Sequence, residues 1–161
     1  MNRRADPLGA LARLPAGLRD FVGTWRLSRR ITDRMHAMSG HAEGRVCFIP
    51  EQDALRYDEQ VTMHLPGQKP IPGTRSYLWR EGAGSIEIAF DDGRPFHAIP
   101  LGLTSPEAVH LCDPDRYAVV YDFADWPVWG VTWEVSGPRK DYRMETLFVR
   151  EKTNGNAPGA A

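Results

Sequence analysis

The stretch Ala54–Met63, ALRYDEQVTM, decides the fold class. Read in twos, it places Leu55, Tyr57, Glu59, Val61 and Met63 on one side and Arg56, Asp58, Gln60 and Thr62 on the other. Strict alternation of this kind belongs to a β-strand with one face on a core and one face in water. Upstream, Thr24–Asp33 repeats the pattern, with Trp25, Leu27, Arg29 and Ile31 set against Thr24, Arg26, Ser28 and Arg30. Turn signals recur at short intervals, Pro50–Asp53 just before this stretch and Glu81–Gly84, Asp91–Gly93, Asp113–Asp115 and Ser136–Arg139 after it. Asp92-Gly93, between SIEIAF and RPFHAI, is the strongest, because Asp and Gly tolerate the positive φ of a tight hairpin.

Between these signals the sequence predicts about ten strands, near 24–33, 41–49, 54–64, 74–81, 84–91, 94–100, 107–112, 116–123, 128–136 and 140–150. The longest loop is expected over Leu65–Gly73, which holds three prolines and two glycines. Strands joined in sequence by short turns point to an all-β, antiparallel up-and-down barrel, since closure removes exposed edges. A barrel of this size encloses a cavity. One helical segment is expected, over Pro7–Phe21, where Leu8, Leu11, Leu14, Leu18 and Phe21 recur at helical spacing. Pro15 and Gly17 limit it to one or two turns. The domain organisation expected is a single barrel over residues 1–151 and a flexible Gly-, Asn- and Ala-rich tail over 152–161.

Composition narrows the function classes. A formal net charge of -1 gives no global field for nucleic acid or anionic lipid, so neither is an expected partner. No apolar run is long enough to cross a bilayer, and the N-terminus lacks a signal-peptide core, which places the expected location in the cytoplasm. Cys47 and Cys112 form neither a disulfide framework nor a C-x-x-C pair. No G-x-S-x-G elbow, P-loop or G-x-G-x-x-G occurs, so serine hydrolase, NTPase and dinucleotide chemistries have no support. Neither H-x-H nor H-E-x-x-H is present, and no metal site is expected.

Gly23-Thr24-Trp25, at the start of the first strand and just after the short helix, resembles the G-x-W signature of the calycin superfamily of lipocalins and fatty-acid-binding proteins. That resemblance implies a tryptophan at the base of the barrel with an arginine of the last strand across it. Arg150 is the matching candidate for barrel closure over Trp25, with Arg143 the second choice. RYDEQ (56–60), DDGRPFH (91–97), HLCDPDRY (110–117) and WEVSGPRKDY (133–142) resemble a bacterial calycin-like family with no assigned function. The chain is also distantly similar to the haem-binding nitrobindins, which share the GTW start and take their haem ligand from a His near the C-terminus. Here the last His is His110, so neither haem nor another cofactor is expected.

If Trp25 points inward, alternation carries Arg29 inward with it, and the third strand brings Tyr57 and Glu59. The same parity selects Arg75, Tyr77 and Trp79 on the fourth strand, Tyr117 and Tyr121 on the eighth, and Trp133 on the ninth. His97 and His110 sit in strands apolar on both faces, so alternation leaves their direction open. His36 and His41 flank a Met-Ser-Gly turn and are expected at the surface. A buried charge needs a partner, and Glu59 has two candidates, Arg29 and Arg75. These residues are the expected lining of a site for a small amphipathic or anionic ligand, in a monomer or homodimer. The alternatives are a cofactor-independent isomerase, cyclase or lyase using Glu59 or a His, and an assembly barrel that docks through Trp126–Trp129 or the Leu65–Gly73 loop.

Overall fold

The structure, a computed structural model, describes residues 13–152. Ten antiparallel strands form a nearly closed barrel. They are β1 (Gly23–Asp33), β2 (Met38–Glu51), β3 (Ala54–His64), β4 (Ile71–Glu81), β5 (Ser85–Phe90), β6 (Pro95–Pro100), β7 (Glu107–Cys112), β8 (Asp115–Asp122), β9 (Trp129–Gly137) and β10 (Lys140–Arg150). Their order in the sheet is β6-β5-β4-β3-β2-β1-β10-β9-β8-β7. This is a meander in which β1 joins both halves, pairing with β2 through Trp25↔Val46 and with β10 through Trp25↔Arg150. The two ends of the meander, β6 and β7, lie side by side without a backbone ladder among the described residues.

Several expectations shift in detail. The Pro7–Ala12 part of the expected helix lies outside the described residues, as does most of the C-terminal tail. The rest of that helix is one 3-10 turn, Leu18–Phe21. Pro15 cannot donate a helical hydrogen bond and Gly17 is fully extended, so nothing longer forms. β2 begins at Met38, so Ser39 and Gly40 belong to the strand and the turn before it is Arg34–Ala37. β4 begins at Ile71, taking Pro72 and Gly73 out of the expected loop and pairing them with Thr62 and Val61. A proline is tolerated there because β4 meets β5 only from Tyr77 onward, leaving its first half with one neighbour.

The Asp92-Gly93 signal is realised as a three-residue hairpin loop. Phe90 N–H donates to Arg94 O at 2.9 Å, Gly93 N–H donates to Phe90 O at 2.9 Å, and Gly93 adopts φ +88°. This is a turn followed by a left-handed glycine, the usual companion of a bulge. Gly44, on β2, serves the curvature of the barrel: a Cβ there would lie 2.0 Å from the Gln60 carbonyl oxygen.

One end of the barrel is solid. Phe21, Trp25, Phe48, Trp79 and Trp129 are buried and in mutual aromatic contact, with Trp129 stacked on Phe148 at 4.0 Å. Trp126 joins this cluster against Phe21, Trp25 and Phe123, and Trp129 is fully covered. Trp126 and Trp129, two rings of the stretch considered as an alternative docking patch, are thereby turned into the core, while Pro127 between them is exposed. Aromatic side chains are large enough that five or six of them fill half a barrel. The hollow is confined to the other half.

Candidate functional site

Trp25 Nε1 donates to Phe21 O at 2.9 Å, and the Arg150 guanidinium lies 4.1 Å from the Trp25 ring centre. Arg150 also donates to Val22 O at 2.7 Å and to Asp20 O, so one side chain ties the last strand to the turn before the first. Arg143, the second choice, is on the outer face, donating to Glu134 and Glu145. The base of the barrel is thereby sealed, and the chemistry lies above it.

Above the aromatic floor, β1 presents Arg29 and β3 presents Tyr57 and Glu59. Arg29 Nη1 and Nη2 donate to Glu59 Oε1 and Oε2 at 2.8 and 2.9 Å, a forked pair in which the Glu59 side chain is 2% exposed. Arg29 Nε donates to Thr146 Oγ1 at 2.8 Å, and the Tyr57 hydroxyl donates to Glu59 Oε2. Of the two candidate partners for Glu59, the structure selects Arg29. Burial alone would raise the Glu59 pKa, but the hydrogen bonds and charge of Arg29, helped by Tyr57, hold it below the ordinary value. Burial beside this carboxylate pushes the Tyr57 hydroxyl well above its ordinary range. The group is a closed ionic knot, with every guanidinium nitrogen and both carboxylate oxygens in use.

Arg29, Tyr57, Glu59, Trp79, Tyr121 and His97 line an inner cavity of about 50 Å³, room for a few waters. His97 points inward, its Nε2 hydrogen-bonded to the Tyr121 hydroxyl at 2.8 Å. Burial, with a smaller push from His110, lowers its pKa to about 4, so the ring is neutral at physiological pH. Three buried polar atoms on residues lining this cavity have no partner among the described residues: His97 Nδ1, Trp79 Nε1 and Trp129 Nε1. Buried polar atoms left unpaired are costly, and here all three belong to residues that line one space.

An outer pocket of about 240 Å³ adjoins the inner one. His110, Tyr117 and Tyr142 belong to it alone, whereas Arg75, Tyr77, Phe96, Trp133 and Met144 line both spaces. Its wall includes a flat stack, Phe96 on Trp133 at 5.2 Å and 9°, with Phe90 behind Phe96 at 4.5 Å and His110 edge-on at 5.1 Å. These rings come from β5, β6, β7 and β9, so side chains bridge the seam that the β6 and β7 backbones leave open. The Tyr117 hydroxyl is already committed, accepting from Lys140 Nζ at 2.8 Å. Arg75 is exposed at the mouth, on the strand position opposite Glu59, and forms no ion pair among the described residues. Tyr77 is held above its ordinary pKa by burial, against the counter-pull of the Arg75 charge and hydrogen bond.

All eleven residues selected by parity or left open in register thus line one of two adjoining spaces. Phe96, Tyr142, Met144 and Thr146 were missed. Phe96 sits in a strand apolar on both faces, which gives no phase. Tyr142, Met144, Thr146 and Phe148 were available in principle, since they share the parity of Arg150.

A ten-strand meander with a G-x-W start, an arginine across that tryptophan and a pocket in the far half defines a calycin-like barrel. The chain belongs to DUF6314, a family of unknown function whose model matches residues 21–150. No curated protein matches it in sequence. Among solved structures it is similar to an S-type phycobiliprotein lyase, CPES, from Guillardia theta, with TM-score 0.55, 12% identity, and coverage of 84% of this chain and 90% of that one. At that identity the likeness concerns the fold alone, and it gives no support to the finer resemblance to nitrobindins. No helix among the described residues is long and apolar enough to cross a membrane.

Proposed function

We propose that this barrel binds a small, flat, anionic molecule, seated between the Phe96–Trp133 stack and Arg75 with its polar end toward the inner cavity. The observation that supports this reading most is the set of three buried polar atoms without partners among the described residues, on side chains that line a cavity opening onto Arg75, an exposed arginine with no ion pair there. Ligand sites join apolar walls to a few convergent polar groups, and this space has that make-up. Its size sets a limit. Cavities of about 50 and 240 Å³ fall below the roughly 300–1,000 Å³ usual for pockets that take drug-sized ligands, and suit one or two rings.

The enzymatic alternative required Glu59 or His97 to stand in the cavity without a partner. Glu59 is saturated by Arg29 and Tyr57, and His97 is neutral and bound to Tyr121. A proton-transfer role for Glu59 has lost its motivation, and the lyase activity named for the structural neighbour is not carried over to this chain.

Native mass spectrometry of protein purified from its own host is expected to show added mass. In vitro, naphthalene-2-sulfonate serves as a two-ring anionic probe, followed by its fluorescence. Arg75→Met is expected to weaken its binding about tenfold or more, the loss of one charge-assisted hydrogen bond. Clean native protein, together with probe affinity indifferent to Arg75→Met, would overturn the proposal.

A further inference from the structure

On the outer face, away from the cavity, β2 and β3 place two histidines directly opposite each other. His41 and His64 are cross-strand partners, and Glu43 lies two residues along β2 from His41 on the same face. Ala42, between them, is buried in the core, which fixes the outward direction of its neighbours. The two imidazoles stack at 4.7 Å and 17°. Glu43 reaches both: its Oε1 is 2.6 Å from His64 Nε2, and its Oε2 is 3.9 Å from His41 Nε2. One ligand atom from each of the three lies within 4.8 Å of the others.

We infer that His41, Glu43 and His64 form a binding site for a divalent transition-metal ion. Two imidazoles and one carboxylate are a donor set for zinc, nickel, cobalt or copper rather than for magnesium or calcium, which prefer all-oxygen surroundings. In a tetrahedral zinc site with bonds of about 2.0–2.1 Å, neighbouring donor atoms sit about 3.3 Å apart. The separations here bracket that value, so small side-chain rotations bring the three donors to one centre while the strands stay fixed. A bound cation would take one ring nitrogen from each histidine and the Glu43 carboxylate as its third ligand.

The flanking charges allow this. Arg30, the cross-strand partner of His41 on β1, is directed to Glu145 at 3.8 Å, and Ser28 and Thr62, the partners of Glu43, are uncharged. His41 and Glu43 are exposed, so one or two coordination positions would remain for water or for a donor from another molecule. Such an ion would clip the open end of the β2–β3 hairpin where it leads into the Leu65–Pro70 loop. Sequence motifs pass over the site because its ligands are split between two strands, with twenty residues separating Glu43 from His64.

The test is calorimetric titration of the chelator-stripped full chain with zinc chloride and, separately, nickel chloride. One ion per chain is expected, with His64→Ala and Glu43→Gln each weakening binding about tenfold or more. His36→Ala, at the neighbouring turn where His36 pairs with Asp33, is expected to leave binding unchanged. Zinc is also expected to raise the melting temperature of the wild type and not that of the His41→Ala/His64→Ala double variant, whose folding is checked by circular dichroism. Absence of saturable binding overturns the inference. So does binding that survives the double variant, or that disappears with His36→Ala alone.

Discussion

Glu59 shows how a residue in a ligand cavity can be committed to structure. Its carboxylate is spanned by the Arg29 fork and capped by Tyr57, and all three side chains line the inner cavity. Removing one member of a buried pair strands the other, at a cost of about 3–5 kcal/mol. Glu59→Gln and Arg29→Met are therefore each expected to destabilise the fold by that amount in urea denaturation, and the double variant by less than the sum. Arg75→Met, at an exposed position without an ion pair among the described residues, is expected to leave stability within about 0.5 kcal/mol while it weakens probe binding. His97 adds a pH dependence. Its folded pKa is about 4 against an ordinary 6.5, so on acidification the unfolded chain takes up a proton that the folded chain refuses. The stability it contributes is complete above pH 6.5 and is lost as the pH falls from there toward 4, by up to about 3 kcal/mol. His97→Phe is expected to flatten the denaturation midpoint across that interval. The lowered carboxylates, Glu59 among them, begin to lose their stabilisation only as the pH nears their ordinary values, so the upper part of the interval is where the His97 effect is read.

At the scale of elements, phase is what made the strands readable. In β3 the alternation around Tyr57 and Glu59 is clean, and one assumption about Trp25 carried the inward set across to β1, β4, β8 and β9. β6 and β7 were readable as strands but not as faces: in RPFHAIP every position tolerates burial, so nothing in the sequence orders Phe96 against His97. Both in fact reach the pocket, beside the irregular pairing between β5 and β6 at Ile88/Ala89. Trp126 was misplaced for the related reason that a loop has no period to fix its direction. The cavity volume was beyond reach, because it depends on how much of the barrel the rings of Phe21, Phe48, Trp79 and Trp129 fill. The closure at the base, by contrast, turns on two residues. Arg150→Ala deletes two hydrogen bonds to the backbone and a cation–π contact, with an expected loss of about 1–3 kcal/mol in thermal or chemical unfolding. Arg143→Ala, a break in an exposed ion pair, is expected to cost under about 1 kcal/mol.

For the molecule as a whole, the consequential feature is that, among the described residues, each neighbouring pair of strands shares a backbone ladder except β6 and β7. An unpaired edge invites association, and β6 is bounded by Pro95 and Pro100, residues that blunt an edge. The seam is held instead by side chains of the pocket itself, Phe96 against His110 and His97 on Tyr121. The elements with the fewest backbone partners are thus the ones that carry the pocket wall, so occupancy of the pocket and order of the seam are linked. Amide hydrogen exchange is expected to be fastest, among the strands, in β6 and β7, and slowest in β1 and β2, which are paired on both sides. A two-ring anion seated on the Phe96–Trp133 stack bridges β6 and β9, and its binding is expected to slow exchange in β6 and β7 while leaving β1 and β2 unchanged. Uniform protection around the barrel, or a ligand effect spread equally over all ten strands, would show that the seam is not where the molecule opens.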